Sequence, residues 1–201
     1  MYMYTFMEMP LENKQYIIAE DVLSKKVLKL LEPYARLLAT DKSSYNVWPN
    51  EMTFNKTAVE CFTCDVLGKD RIEIIDELYS NTALPCYNKT WLKGADIAVQ
   101  KIPAGGQIPK HTDHCIFSLT VFLSSITGGE FVWWDHTDNQ HTVTPKYNTG
   151  IISCADTYSR GLAHEVLPVQ DGVRYTAQIF VFDKTKSSTN ETKSVIWEIE
   201  K

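Results

Sequence analysis

The stretch "QIPKHTDHCIF" carries His111-Thr112-Asp113, and "WWDHTDNQH" repeats the same tripeptide as His136-Thr137-Asp138. On an extended strand, residues i and i+2 share a face, so an imidazole and a carboxylate at this spacing can reach one metal ion while the threonine points away. Two ligands do not complete a site, and a third must come from elsewhere in the chain. His164, in "GLAHEVLPVQDG", lies just before the last long apolar run. His111, Asp113 and His164 together would form a two-histidine, one-carboxylate facial triad, which leaves coordination positions open and suits non-haem Fe(II) oxygen chemistry.

Arg174 and Thr176 follow in "VRYTAQIFVFD", again two apart and on one face of a strand. The planar fork of arginine matches a carboxylate, and a neighbouring hydroxyl adds a hydrogen bond. The pair could hold the distal carboxylate of a dicarboxylate whose other end chelates the metal. Taken alone, Arg174 reads equally well as a structural arginine at a strand start.

The elements that must position these residues come in two kinds. Leu23, Val27, Leu30, Leu31 and Tyr34 fall at helical spacing after Asp21, an expected N-cap, and Pro33 is expected to end that helix or to start a second one bearing Leu37 and Leu38. A second helix is expected over "DRIEIIDELYSN", with Ile74, Ile75, Leu78 and Tyr79 as its core stripe. From about Asp96 the pattern changes to short apolar runs, "DIAVQKI", "IFSLTVFL", "GEFVWW", "HTVTP", "GIISCA" and "VRYTAQIFVFD", cut by Gly- and Pro-bearing turns. Such runs imply a mainly β fold with flanking α, a double-sheet jelly roll with the helices packed on one side. The reading is one domain: a helical support region over 1–95, a β core over 96–183 and a tail over 184–201 whose "VIWEIE" could be a last strand or a docked end.

Composition narrows the partners. The 201 residues are 44% hydrophobic and 22% charged, enough for one domain with a real core. A net charge of -5 argues against nucleic acid as the main partner. No run of apolar residues approaches a membrane span and the N-terminus lacks a signal-peptide pattern, so a cytoplasmic protein is expected. The odd count of 5 cysteines suits a reducing compartment, and Cys61-Phe62-Thr63-Cys64, without a second pair, reads as buried thiols and not as a zinc or redox site. Three Asn-x-Thr sequons, at Asn55, Asn88 and Asn190, carry little weight without a secretory signal.

The segment from Asp96 to Asp183 resembles the double-stranded β-helix of the iron(II)/2-oxoglutarate-dependent dioxygenases, and within them the prolyl and lysyl hydroxylase group. The resemblance rests on "PxGG" over Pro103 to Gly106, H-x-D over 111–113, "SLTVFL", "GGEF" from Gly128 to Phe131, and "HEVLPVQDGVRYTAQIFVFD" with its histidine and arginine in order. It implies Fe(II) held by His111, Asp113 and His164, and 2-oxoglutarate and O2 as co-substrates, with ascorbate as an accessory reductant. Arg174 and Thr176 would hold the 2-oxoglutarate carboxylate. The implied reaction is oxidative decarboxylation to succinate and CO2 coupled to hydroxylation of a peptidyl or free amino acid. Asp113, in place of the small residue of related halogenases, favours hydroxylation, or a desaturation or demethylation begun by the same hydrogen abstraction. The chain departs from the group at Ile102, where members often carry a co-substrate-binding tyrosine; Tyr175 or another tyrosine would then be the substitute.

With that order in place, His136 and Asp138 read as a hairpin tip, close enough to the barrel mouth for substrate contact. His114 is expected to face away from the metal, and His141 to begin a strand without a nameable partner. Trp133, Trp134, Tyr87 and Trp91 are candidates for the substrate entrance, with the core as the competing place for each. Oligomeric state is not encoded legibly. Two other classes share parts of this pattern: a cupin-like metal-binding domain, which would have no use for Arg174, and a dioxygenase acting on nucleic-acid bases, which would want a basic mouth.

Overall fold

The computed structural model describes residues 16–40, 46–47, 61–81, 89–113, 115–135, 137–154 and 162–182. Two antiparallel sheets make a jelly roll. The larger contains, in spatial order, β1 (Ile17–Ala19), β10 (Gly150–Cys154), β6 (Cys115–Phe122), β13 (Val173–Phe182), β4 (Asp96–Pro103), β3 (Phe62–Asp65) and β2 (Asn46–Val47). The smaller runs β5 (Ile108–His111), β11 (His164–Val166), β8 (Phe131–Trp134), β9 (Gln140–Val143), and a short pair joins β12 (Val169–Asp171) to β7 (Thr127–Gly128).

Period-two alternation sorts the side chains of the large sheet. Ile97 and Val99 of β4, Phe117, Leu119 and Val121 of β6, and Ala177, Ile179 and Val181 of β13 face outward, into one cluster with Val27, Leu31, Leu38, Ile74, Ile75 and Leu78 of the helices. The intervening positions face the barrel interior, where Ile102 and Phe122 meet Ile108, Phe131, Trp133 and Val166 of the small sheet. Gln100, Ser118, Arg174, Thr176 and Gln178 occupy this interior phase and are buried although polar. A sheet that buries polar groups on one face only needs a reason on that face.

The helices correct the sequence reading in detail. Helix α1 spans Lys25–Thr40 without a break at Pro33, which sits on its exposed side. Asp21 adopts a left-handed backbone (φ 49) and caps nothing; Ser24 accepts from the Val27 N–H at 3.2 Å and is the N-cap. Packing of Val27, Leu31 and Leu38 on the sheet and on helix α2 (Gly68–Ser80) outweighs the one backbone bond that Pro33 removes. In α2, Ile74, Ile75 and Leu78 are buried as expected, but Tyr79 is 43% exposed. Lys26 bridges the helices to Glu73 and Glu77, and Tyr34 donates to Asp70 at 2.8 Å.

The region ahead of residue 96 is not only helical: β1, β2 and β3 extend the large sheet on both sides. Cys61 and Cys64 fall in the interior and the helix-facing cluster respectively, so the two thiols of the C-x-x-C are buried on opposite faces and cannot share a metal. The sequon asparagines, Tyr87, His114, His136, the side chain of Trp91 and the tail over 184–201 lie outside the described residues. No helix among the described residues is long and apolar enough to cross a membrane.

Candidate metal centre

β5 ends at His111 and β11 begins at His164, and the two strands pair with these residues directly opposite. Opposed residues of an antiparallel pair point to the same face, so both imidazoles enter the barrel side by side, with ring centroids 4.3 Å apart. Asp113 is not on the strand with His111, as the H-x-D spacing suggested, but in the turn between β5 and β6. The turn brings its carboxylate to the same place: Oδ1 lies 3.6 Å from His111 Nε2 and Oδ2 lies 3.4 Å from His164 Nε2. The three ligand atoms fall within 4.8 Å of one another.

Backbone carbonyls fix both rings. His111 Nδ1 donates to Pro109 O at 2.7 Å and His164 Nδ1 to Leu162 O at 2.9 Å, which leaves each Nε2 as the nitrogen facing Asp113. A metal-ligating histidine is typically held in this way through its other nitrogen. Tyr16 adds a third contact, its hydroxyl 2.9 Å from His164 Nδ1 and 3.5 Å from Leu162 O. Burial, reinforced by the charges of Asp113 and Cys115, holds the Tyr16 phenol well above its usual range, so it stays protonated. Burial and the proximity of His164 push His111 down to about 4. For His164 burial also opposes the charged form, yet the charge and hydrogen bond of Asp113 outweigh it and the value is raised. One carboxylate supports one imidazolium, and the proton belongs to the cluster.

The triad opens on a cleft of about 420 Å³, mouth included, whose apolar walls are Ile108, Phe131, Val166 and Phe180 and whose floor carries Gln100, Thr120, Arg174 and Gln178. Arg174 is 1% exposed. Its Nη1 donates to Gln100 Oε1 at 3.3 Å, its guanidinium lies 5.1 Å from the Phe122 ring centroid, and its Nε has no hydrogen-bond partner among the described residues. No carboxylate among them pairs with it either. Burial lowers its pKa to about 10, so it remains a cation at neutral pH. A buried cation without a counter-ion is costly, and a pocket built around one fits an anionic guest. The donor set of two imidazole nitrogens and a carboxylate fits Fe(II).

Gly129 makes room for this arginine. It has φ +66, and a Cβ there would stand 3.1 Å from Arg174 Cδ and 3.0 Å from Val169 Cγ2.

Not every expected residue reaches the cleft. Thr176 is buried behind its floor, donating to Gln100 Oε1 at 3.5 Å, and Tyr175 packs against the helix-facing cluster on the opposite face. Ile102 pairs in register with Arg174 and is fully buried, so an aliphatic side chain fills that place. Asp138 lies in the β8–β9 connection with φ 60, a hairpin turn as expected. His141 does have partners: Asp135 at 2.9 Å and the face of Trp133, stacked at 4.8 Å. Trp133 is core, 7% exposed, whereas Trp134 faces outward under the Lys110 ammonium at 3.5 Å. The sequence reading missed Gln100, Gln178 and Tyr16. The two glutamines were visible as polar residues at the interior phase of apolar strands; Tyr16 had no local signal.

This arrangement of sheets is shared by solved structures. A prolyl-4-hydroxylase from Pseudomonas putida aligns with TM-score 0.62 at 13% identity, covering 86% of this chain and 95% of that one. The chain has the fold of the 2-oxoglutarate/iron(II) oxygenases. A Trichoplax adhaerens prolyl hydroxylase, in complex with a hypoxia inducible factor peptide fragment, aligns with TM-score 0.62 at 16% identity over 87% of this chain and 86% of its own. The viral collagen prolyl hydroxylase of Paramecium Bursaria Chlorella virus-1, as a 2-oxoglutarate complex, gives 0.55 at 19% identity over 83% and 94%. By sequence, no family model and no curated protein matches the chain.

Proposed function

We propose that the protein is an iron(II)- and 2-oxoglutarate-dependent dioxygenase that hydroxylates a peptidyl or free amino acid of prolyl or lysyl type. The observation that carries this reading is the coexistence, in one cleft, of the His111, Asp113, His164 cluster and a buried Arg174 that no carboxylate among the described residues pairs with. Either feature alone has other uses; together they match the two ends of a 2-oxo dicarboxylate.

His111, Asp113 and His164 hold the metal through Nε2, a carboxylate oxygen and Nε2. Iron(II) with 2-oxoglutarate and O2 supplies the oxidising power for C–H hydroxylation, with succinate and CO2 released. Arg174 binds the distal carboxylate and Thr176 contributes from behind through Gln100. The Nδ1–H bonds to Pro109 and Leu162 fix each ring in plane and leave Nε2 as the nitrogen that would take the metal, once the cluster has given up its proton. Ile108, Phe131, Val166 and Phe180 exclude water around the reacting groups. Residues 96–183 form the working core and 1–95 its support, within one domain. The buried Cys61 and Cys64 thiols suit a reducing, cytoplasmic setting. The peptide bound by the Trichoplax neighbour supports a peptidyl substrate. Ascorbate would serve as accessory reductant.

The test is succinate formation with Fe(II), 2-oxoglutarate and O2 against proline- and lysine-containing peptides, free amino acids and oligonucleotides. Turnover is expected with a peptide or amino acid; absence of succinate across the whole panel would overturn the reading.

A further inference from the structure

Arg174 is held by a neutral side chain. Gln100 stands on β4, in register with Thr176 on the adjacent β13, and both Arg174 Nη1 and Thr176 Oγ1 donate to its Oε1, at 3.3 and 3.5 Å. Gln100 is itself 1% exposed and lines the cleft together with Arg174. In most protein interiors a buried guanidinium is matched by a carboxylate, which neutralises it and forms the bidentate pair its shape favours. Here the position that could supply one carries its uncharged isostere.

Among the described residues, the other nearby sources of negative charge are also withheld. Cys61 lies near enough to act on Arg174, but burial pushes its thiol up, far above neutrality, and it stays uncharged. Asp113 is engaged with the two histidines. Phe122 offers only a ring face, and Ile102, opposite Arg174, offers no polar atom. Arg174 Nε is left with no hydrogen-bond partner among the described residues.

We propose that Gln100 is a positioning and specificity-determining residue: it orients Arg174 while leaving the positive charge uncompensated, and so reserves the site for the distal carboxylate of a dicarboxylate co-substrate. The inference rests on the oxygenase reading and deepens it. The neutrality of Gln100 is as much a part of the site as the charge of Arg174, because a glutamate in the same volume would be the anion that Arg174 otherwise takes from the ligand.

The experiment is calorimetric titration of 2-oxoglutarate into the full chain loaded with Mn(II), a redox-inert stand-in, for the wild type, Gln100→Glu and Gln100→Met, with Tm recorded for each. Gln100→Glu is expected to bind Mn(II) as the wild type does and to keep or raise Tm, while losing about 100-fold in 2-oxoglutarate affinity, the scale of one buried charge pair. Gln100→Met, which decides the matter if the charged variant does not fold, is expected to weaken binding about 10-fold through the lost hydrogen bond. Unchanged 2-oxoglutarate affinity in a folded Gln100→Glu, or in Gln100→Met, would overturn the inference and leave the oxygenase reading intact. A wild type that takes up Mn(II) but not 2-oxoglutarate would overturn both.

Discussion

His164 stands directly across from His111 in the β11–β5 register, so two residues far apart in sequence become cross-strand neighbours with centroids 4.3 Å apart. Asp113, delivered by a turn, closes the cluster from the side. Replacing any of the three by alanine is expected to abolish stoichiometric Fe(II) or Co(II) uptake and turnover. Asp138→Asn, which retains a residue tolerant of left-handed backbone in the copy of the motif at the hairpin, is expected to stay within about twofold of the wild type, as surface substitutions do. Equal losses at Asp113 and Asp138 would refute the assignment.

Metal uptake should displace the proton that the His111, Asp113, His164 cluster holds. His111, pushed down to about 4, is already neutral near pH 6, whereas His164, raised from 6.5, carries the charge beside Asp113 in the metal-free protein. A raised folded-state value means that the stability contributed by the His164–Asp113 pair is fully present below 6.5 and is lost as pH rises through the folded-state value of His164. His111, depressed, acts in the opposite sense, lowering stability as pH falls from 6.5 toward about 4. Metal affinity should therefore weaken as pH falls through the His164 range. Calorimetry in buffers of different ionisation enthalpy would read the released proton; none released at pH 6.5 would contradict the assignment.

Gly129→Ala should harm the site through Arg174. The added methyl meets Arg174 Cδ at 3.1 Å and Ile126 Cδ1 at 3.2 Å, on a backbone with φ +66 that L-residues seldom adopt. A loss of about 1–3 kcal/mol in denaturant-measured stability is expected from the strained conformation. Weaker 2-oxoglutarate binding should accompany it. Preserved affinity would mean that Arg174 can shift without consequence.

Tyr16→Phe removes the hydroxyl contact to His164 Nδ1 but keeps the edge-on packing of the ring against Phe131 and Trp133, at 5.1 and 5.5 Å. Outer-shell partners of metal ligands are typically worth 10- to 100-fold in affinity, and a loss of about 10-fold in Co(II) affinity is expected here because the Leu162 carbonyl still holds His164. An unaltered Co(II) affinity and absorption spectrum would show that Leu162 suffices alone.

Much of this fold and site is legible in the residues wherever the signal is local. Alternation over 96–102 and 173–183 marked β4 and β13, the spacing of Val27, Leu31, Ile74 and Leu78 marked the helices, and the order of His111, Asp113, His164 and Arg174 marked the site. Alternation also shows Gln100 and Gln178 to be on the interior face, since position along a strand fixes the side to which a residue points. Other features were beyond it because they depend on which strands become neighbours. The register that opposes His164 to His111, the placing of Tyr16 against His164, and the burial of Thr176 and Tyr175 away from the cleft all follow from the closure of two sheets on each other. So does the continuity of α1 through Pro33, where packing overrides a local break. A strand's own residues decide which face each side chain takes; only the folded sheets decide what that face meets, and the neutral partner of Arg174 becomes visible at that second step.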